Sequence, residues 1–160
     1  MTKQSFPERT PARWRAWFDG TAAPNPGRIG LGFVIERPDG IRSEHAIATG
    51  RHGCNNEAEL QSLRALVEHA RALGVRELQI FGDSKAAIDF VRGDDDTEVV
   101  RLKAQIDAIG QLLGAFDHVE IVWLPRHRNG DADRLARQAL GLSVKNAEGA
   151  GPRRKKRWKK

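Results

Sequence analysis

Apolar and polar residues alternate from Arg13 to Asp19, with Trp14, Ala16 and Phe18 on one side and Trp17 on the other, and this period of two predicts a strand. The Gly- and Pro-containing stretch 20–28 predicts a loop, its turn built by Pro24, Asn25, Pro26 and Gly27. A second strand is expected over 29–36, a tight turn at Pro38-Asp39-Gly40, and a third strand over 41–48, a meander joined by short connections. After a loop over 49–55 the period changes. Leu60, Leu63, Val67 and Ala70 recur at helical spacing, with Asn55 or Asn56 as the expected cap and Gly74 as the stop. A short strand (77–81), a brief helix (85–91), a third helix (99–113), a strand (118–124) and a last helix from near Asn129 complete the chain. Hairpin strands followed by alternating helices and strands predict an α/β fold. Its sheet has five strands, a three-strand antiparallel meander plus two parallel strands, with helices on both faces.

Composition adds boundaries. The 160 residues fit one domain, and 39% hydrophobic with 30% charged residues is a soluble balance. No apolar run reaches the ~20 residues a membrane helix needs, so no membrane partner is expected. The N-terminus lacks the apolar core of a secretory signal, and Cys54 stands alone; both fit a cytoplasmic protein. The net charge of +6 is concentrated at one end, since RRKKRWKK contributes seven of the 27 Lys and Arg. The remainder has 20 basic against 21 acidic residues, so the body carries no general positive field. The expected organisation is an arm over 1–12, a folded domain over 13–142 and a disordered basic tail over 143–160.

Four acids stand where apolar sequence gives way to polar sequence: Asp19, Glu59, Asp83 and Asp133. Singly, each has an ordinary explanation as a turn aspartate, a helix-dipole partner or a cap. Jointly they fall at strand tips and helix starts, where an open α/β sheet builds its sites. Converging carboxylates repel unless a cation neutralises them, and oxygen ligands without His or Cys select Mg²⁺ or Mn²⁺ over zinc.

The pieces FDGTAAPNPG (18–27), CNNEAEL (54–60), GDS (82–84) and RNGDADRLA (128–136) resemble the ribonuclease H family, type 1 branch. The resemblance implies a ribonuclease H-like fold and hydrolysis of the RNA strand of an RNA–DNA hybrid with two Mg²⁺ ions. Products would carry 5′-phosphate and 3′-hydroxyl ends. It places the family's four acidic residues on Asp19, Glu59, Asp83 and Asp133, as both catalytic residues and metal ligands. Asn25, Asn55 and Asn56 match positions that touch the hybrid, and Lys85 and Arg128 are candidates for phosphate contact. Double-stranded RNA is a second candidate substrate, and a monomer is expected.

Two features depart from the wider family. Only Arg126-His127-Arg128 separates Pro125 from Asn129, resembling the short-loop subgroup that lacks the usual histidine loop, so a role for His127 stays open. The region of the basic protrusion reads VRGDDDTEVVRLK, with an acidic centre. The tail residues Arg153, Arg154, Lys155, Lys156, Arg157 and Trp158 offer phosphate contacts and a stacking surface instead. The alternative reading is a hybrid- or duplex-RNA-binding module that keeps the fold without cutting. A proofreading-exonuclease reading is disfavoured because Thr21 stands two residues after Asp19, where a Glu is required.

Overall fold

Along the chain the elements are β1 (Trp14–Ala23), β2 (Gly27–Glu36), β3 (Arg42–Gly53), α1 (Asn55–Ala72), β4 (Glu77–Gly82), α2 (Lys85–Arg92), α3 (Val100–Leu113), β5 (His118–Trp123) and α4 (Gly130–Ala139), with a single 3₁₀ turn at Arg126–Arg128. They are taken from a computed structural model that describes residues 13–143. The expected arm over 1–12 and the tail residues Arg153 to Trp158 lie outside the described residues. The five strands form one sheet in the order β3-β2-β1-β4-β5. β1 pairs antiparallel with β2 and parallel with β4, and β5 runs parallel to β4, so the meander-plus-parallel expectation holds.

Three local expectations are corrected. β1 does not end at Asp19. It continues to Ala23 because β2 pairs with it over its whole length, from Arg15↔Glu36 to Ala23↔Arg28, which leaves only residues 24–26 for the turn. What ends near Asp19 is the partnership with β4, whose last pair is Phe18↔Gly82. β3 likewise runs on through the expected loop to Gly53, with a bulge between Arg28 and Gly30. There Thr49 donates its hydroxyl to the Ile29 carbonyl and accepts from the Arg51 N–H, and Gly50 takes a φ of 75°. Finally, the cap of α1 is Cys54, not Asn55 or Asn56. Glu57 reaches back to accept the Cys54 N–H at 3.0 Å, which satisfies that donor and leaves both asparagine side chains for other work.

Glycines decide how closely the helices approach. Gly20 pairs with Leu31, and Gly32 follows Leu31, so β-carbons at 20 and 32 would point to opposite faces. At Gly20 a β-carbon would collide with the Ala58 carbonyl of α1; at Gly32 it would collide with Ala132 and Ala136 of α4. Thus α1 lies against one face and α4 against the other, each nearly touching backbone. The α1 face carries the main core. Phe18, Phe33, Ile35, Leu60, Leu63, Leu66 and Ile80 are fully buried there, joined by Ile88 from α2 and Ile109 from α3. Each such side chain contributes about 1.5–3 kcal/mol of burial, so this face fixes the sheet rigidly beneath α1. On the other face Trp17 stacks on Phe81 at 5.4 Å.

Among the described residues, no helix is long and apolar enough to cross a membrane.

Candidate metal centre

Asp19 occupies the first position of β1 beyond its pairing with β4, beside the strand order's change from antiparallel to parallel. Being central in the sheet, it is only 7% exposed. Glu59 projects from the first turns of α1, which the close contact at Gly20 brings onto β1; its Oε1 accepts the Gly20 N–H at 3.1 Å. Asp83 follows β4, immediately before Ser84, which caps α2 by accepting the Ala87 N–H at 3.1 Å. Asp83 itself is therefore free of capping duty. Carboxylate oxygens of Asp19, Glu59 and Asp83 all lie within 4.8 Å of one another.

Asp133 is in the first turn of α4 and borders this triad. Its negative charge acts on both Asp19 and Asp83. All four acids thus meet at one end of the sheet. A cavity of about 690 Å³ at the opposite end, between Trp14, Ile41, His45 and His69, contains none of them.

The electrostatics show what the cluster lacks. Burial, then the charge of Asp83, push Asp19 up to about 8. Burial and the neighbouring Asp19 raise Glu59 well above its usual range. Burial also raises Asp83, but a hydrogen bond from Asn129 and the nearby Arg126 charge oppose the shift. Without a cation the Asp19–Glu59 pair holds a proton at neutral pH. The donor set is hard, oxygen-only and confined, so it fits Mg²⁺ or Mn²⁺, which would favour the charged forms of Asp19, Glu59 and Asp83.

The asparagines expected to meet substrate form a chain on the rim. Asn25 Oδ1 accepts the Asn55 N–H at 3.0 Å, and Asn55 Oδ1 accepts the Ala22 N–H at 2.9 Å. These bonds tie the β1–β2 turn to the start of α1 and leave the amide N–H groups as donors at an exposed edge. Asn56 is exposed beside them. Lys85, also exposed, is paired with Asp89 at 2.7 Å. Arg128 and His127 line a cleft of about 330 Å³ with Trp17, Arg42 and Asn129, and Asn129 also bonds to Asp83 of the three-carboxylate cluster.

Three residues were not foreseen in these positions. Arg126, rather than Arg128, acts on Asp83. Arg101 of α3 pairs with Glu57 at 3.0 Å, beside the Cys54 cap. Asn129, expected only near the start of the last helix, donates from Nδ2 to both Asp83 Oδ2 and the Phe18 carbonyl, each at 2.9 Å. Only Asn129 left a trace in the sequence, standing four residues before Asp133; the other two are visible only in space.

Comparison with known proteins agrees with this geometry. The family described as "Reverse transcriptase-like" matches residues 17–139. Ribonuclease HI of Halobacterium salinarum is 36% identical over 129 residues, covering 80% of this chain and 64% of that protein. The bifunctional protein Rv2228c of Mycobacterium tuberculosis is 33% identical over 134 residues, covering 81% of this chain and 36% of that protein. The chain therefore spans less than two thirds of either relative. Among solved structures, RNase H1 of Halobacterium salinarum superimposes with a TM-score of 0.77 at 34% identity, covering 81% of this chain and 98% of the other. LC11-RNase H1 in complex with an RNA/DNA hybrid gives 0.73 at 25% identity, covering 80% and 96%. This chain belongs to the reverse transcriptase-like family of ribonuclease H folds, in the type 1 ribonuclease H branch.

Proposed function

We propose that this chain is an endoribonuclease that hydrolyses the RNA strand of RNA–DNA hybrids and leaves 5′-phosphate and 3′-hydroxyl ends. The observation that carries the reading is the cluster itself: three carboxylates within 4.8 Å, a fourth whose charge acts on two of them, and Asp19 buried and held up to about 8. Such a set is unfavourable until divalent cations occupy it. Two Mg²⁺ ions, when bound, supply the charge that activates a water nucleophile and stabilises the departing 3′ oxygen.

Within that reading, Asp19, Glu59, Asp83 and Asp133 would hold the ions, with Asp19 common to both, Asp133 toward the attacking water and Glu59 and Asp83 toward the leaving group. Arg126, next to Asp83, limits the negative potential that an incoming phosphate meets. The rim of Asn25, Asn55 and Asn56 faces the sugar edges of the hybrid, where amide donors and acceptors suit a 2′-hydroxyl. The relative solved with an RNA/DNA hybrid supports this choice of substrate. The basic tail supplies phosphate contacts that the near-neutral body does not.

The test is a cleavage series on hybrid, duplex RNA and duplex DNA of one sequence, with Mg²⁺ and then Mn²⁺. Cutting of the RNA strand of the hybrid, with duplex DNA intact, is the expected result. Binding of the hybrid without cleavage under either metal would establish the non-cutting module instead.

A further inference from the structure

Asn129 stands at the N-cap of α4, where asparagine ordinarily turns its side chain back onto the first helical N–H groups. Here it makes no such bond. Its side chain is 1% exposed and is spent on the metal centre. Nδ2 donates to the Phe18 carbonyl, one residue before Asp19, and to Asp83 Oδ2, both at 2.9 Å. The Asn129 carbonyl also accepts the Asp133 N–H at 3.1 Å. A single residue therefore touches the three segments that carry Asp19, Asp83 and Asp133.

The amide orientation is fixed by its partners. Both groups facing Nδ2 are acceptors, so a flipped amide would set oxygen against oxygen twice. Among the described residues Oδ1 consequently has no donor, although it is buried. A buried acceptor left in that state costs about 1–3 kcal/mol.

We infer that Asn129 is a positioning residue of the metal centre, and that its Oδ1 accepts a hydrogen bond from a water molecule held among the carboxylates. Nδ2 sets the distance between the Asp19 and Asp83 segments, and Oδ1 orients the water. This rests on the hydrolytic reading above but makes a claim of its own, about metal affinity.

The test uses the whole chain carrying Asn129→Ala or Asn129→Ser. Hybrid cleavage gives kcat and KM, and calorimetric titration with Mn²⁺ in the absence of substrate gives metal affinity. In both variants kcat falls about tenfold or more and Mn²⁺ affinity weakens by about tenfold, with KM for hybrid within about twofold of wild type. Thermal melting identifies a variant that has failed to fold; Ser, a strong helix cap, is the one expected to keep α4 in place, and it alone suffices for the comparison. Wild-type kcat and Mn²⁺ affinity in Asn129→Ser would show that the residue only starts a helix, overturning the inference. If the wild type binds Mn²⁺ but cuts no hybrid, the hydrolytic reading fails, and the Mn²⁺ affinities still decide the role of Asn129.

Discussion

The carboxyl of Asp19 is where sequence, fold and chemistry meet. Its burial follows from the centre of the sheet, and its shift to about 8 follows from burial together with Asp83 and Asp133. A raised acid pKa means that the folded, metal-free chain holds a proton which the unfolded chain has released above its ordinary value of 3.8. Stability of the metal-free protein therefore falls as pH rises from about 4 to about 8, and Glu59 acts in the same direction. Melting curves in chelator should show this decline, and Mg²⁺ should reverse it most strongly near the upper end. Asp19→Asn should flatten the decline and raise the metal-free melting temperature by several degrees. At this scale the four acids were legible because each sits in an ordered run of neighbours. Arg126 was not, because its effect on Asp83 acts across 43 residues and leaves no local pattern, and Asn129, whose bond to Asp83 spans 46, showed only its place four residues before Asp133.

At the scale of elements, strands and helices were read correctly in type and order, because their periods of two and near four are strong. The errors fell at ends. β1 and β3 outlast their apolar alternation because cross-strand pairing holds residues that look like loop, and Gly20, read as loop, lies within β1 as a contact point for α1. Gly32→Ala should cost about 2–3 kcal/mol in urea denaturation, since its new methyl meets backbone of α4 that cannot yield without moving Asp133. Ser84→Ala removes the cap of α2 and should cost about 1 kcal/mol, with a smaller loss if the turn re-forms around Asp83. Activity should fall further in Gly32→Ala than stability alone explains, because α4 carries Asp133 and is capped by Asn129.

At the scale of the whole molecule, chemistry and grip are separated. The acids, the asparagine rim and Arg126 belong to one end of the sheet, whereas the excess positive charge of the chain belongs to its last eight residues. Deleting residues 152–160 should raise KM for hybrid several-fold at physiological salt and leave kcat within about twofold, with the salt dependence of binding reduced by about 0.9 per lost phosphate contact. An unchanged KM would show that the body binds hybrid unaided. The central claim, that the four acids form a metal-dependent hydrolytic centre built around Asp19, is tested most directly by one comparison. Wild type and Asp19→Asn are given the same labelled RNA–DNA hybrid under rising Mg²⁺ or Mn²⁺. The account predicts metal-dependent cutting of the RNA strand by wild type, and a rate at least about 10³-fold lower in the variant while it remains folded. Comparable cleavage by folded Asp19→Asn would contradict it.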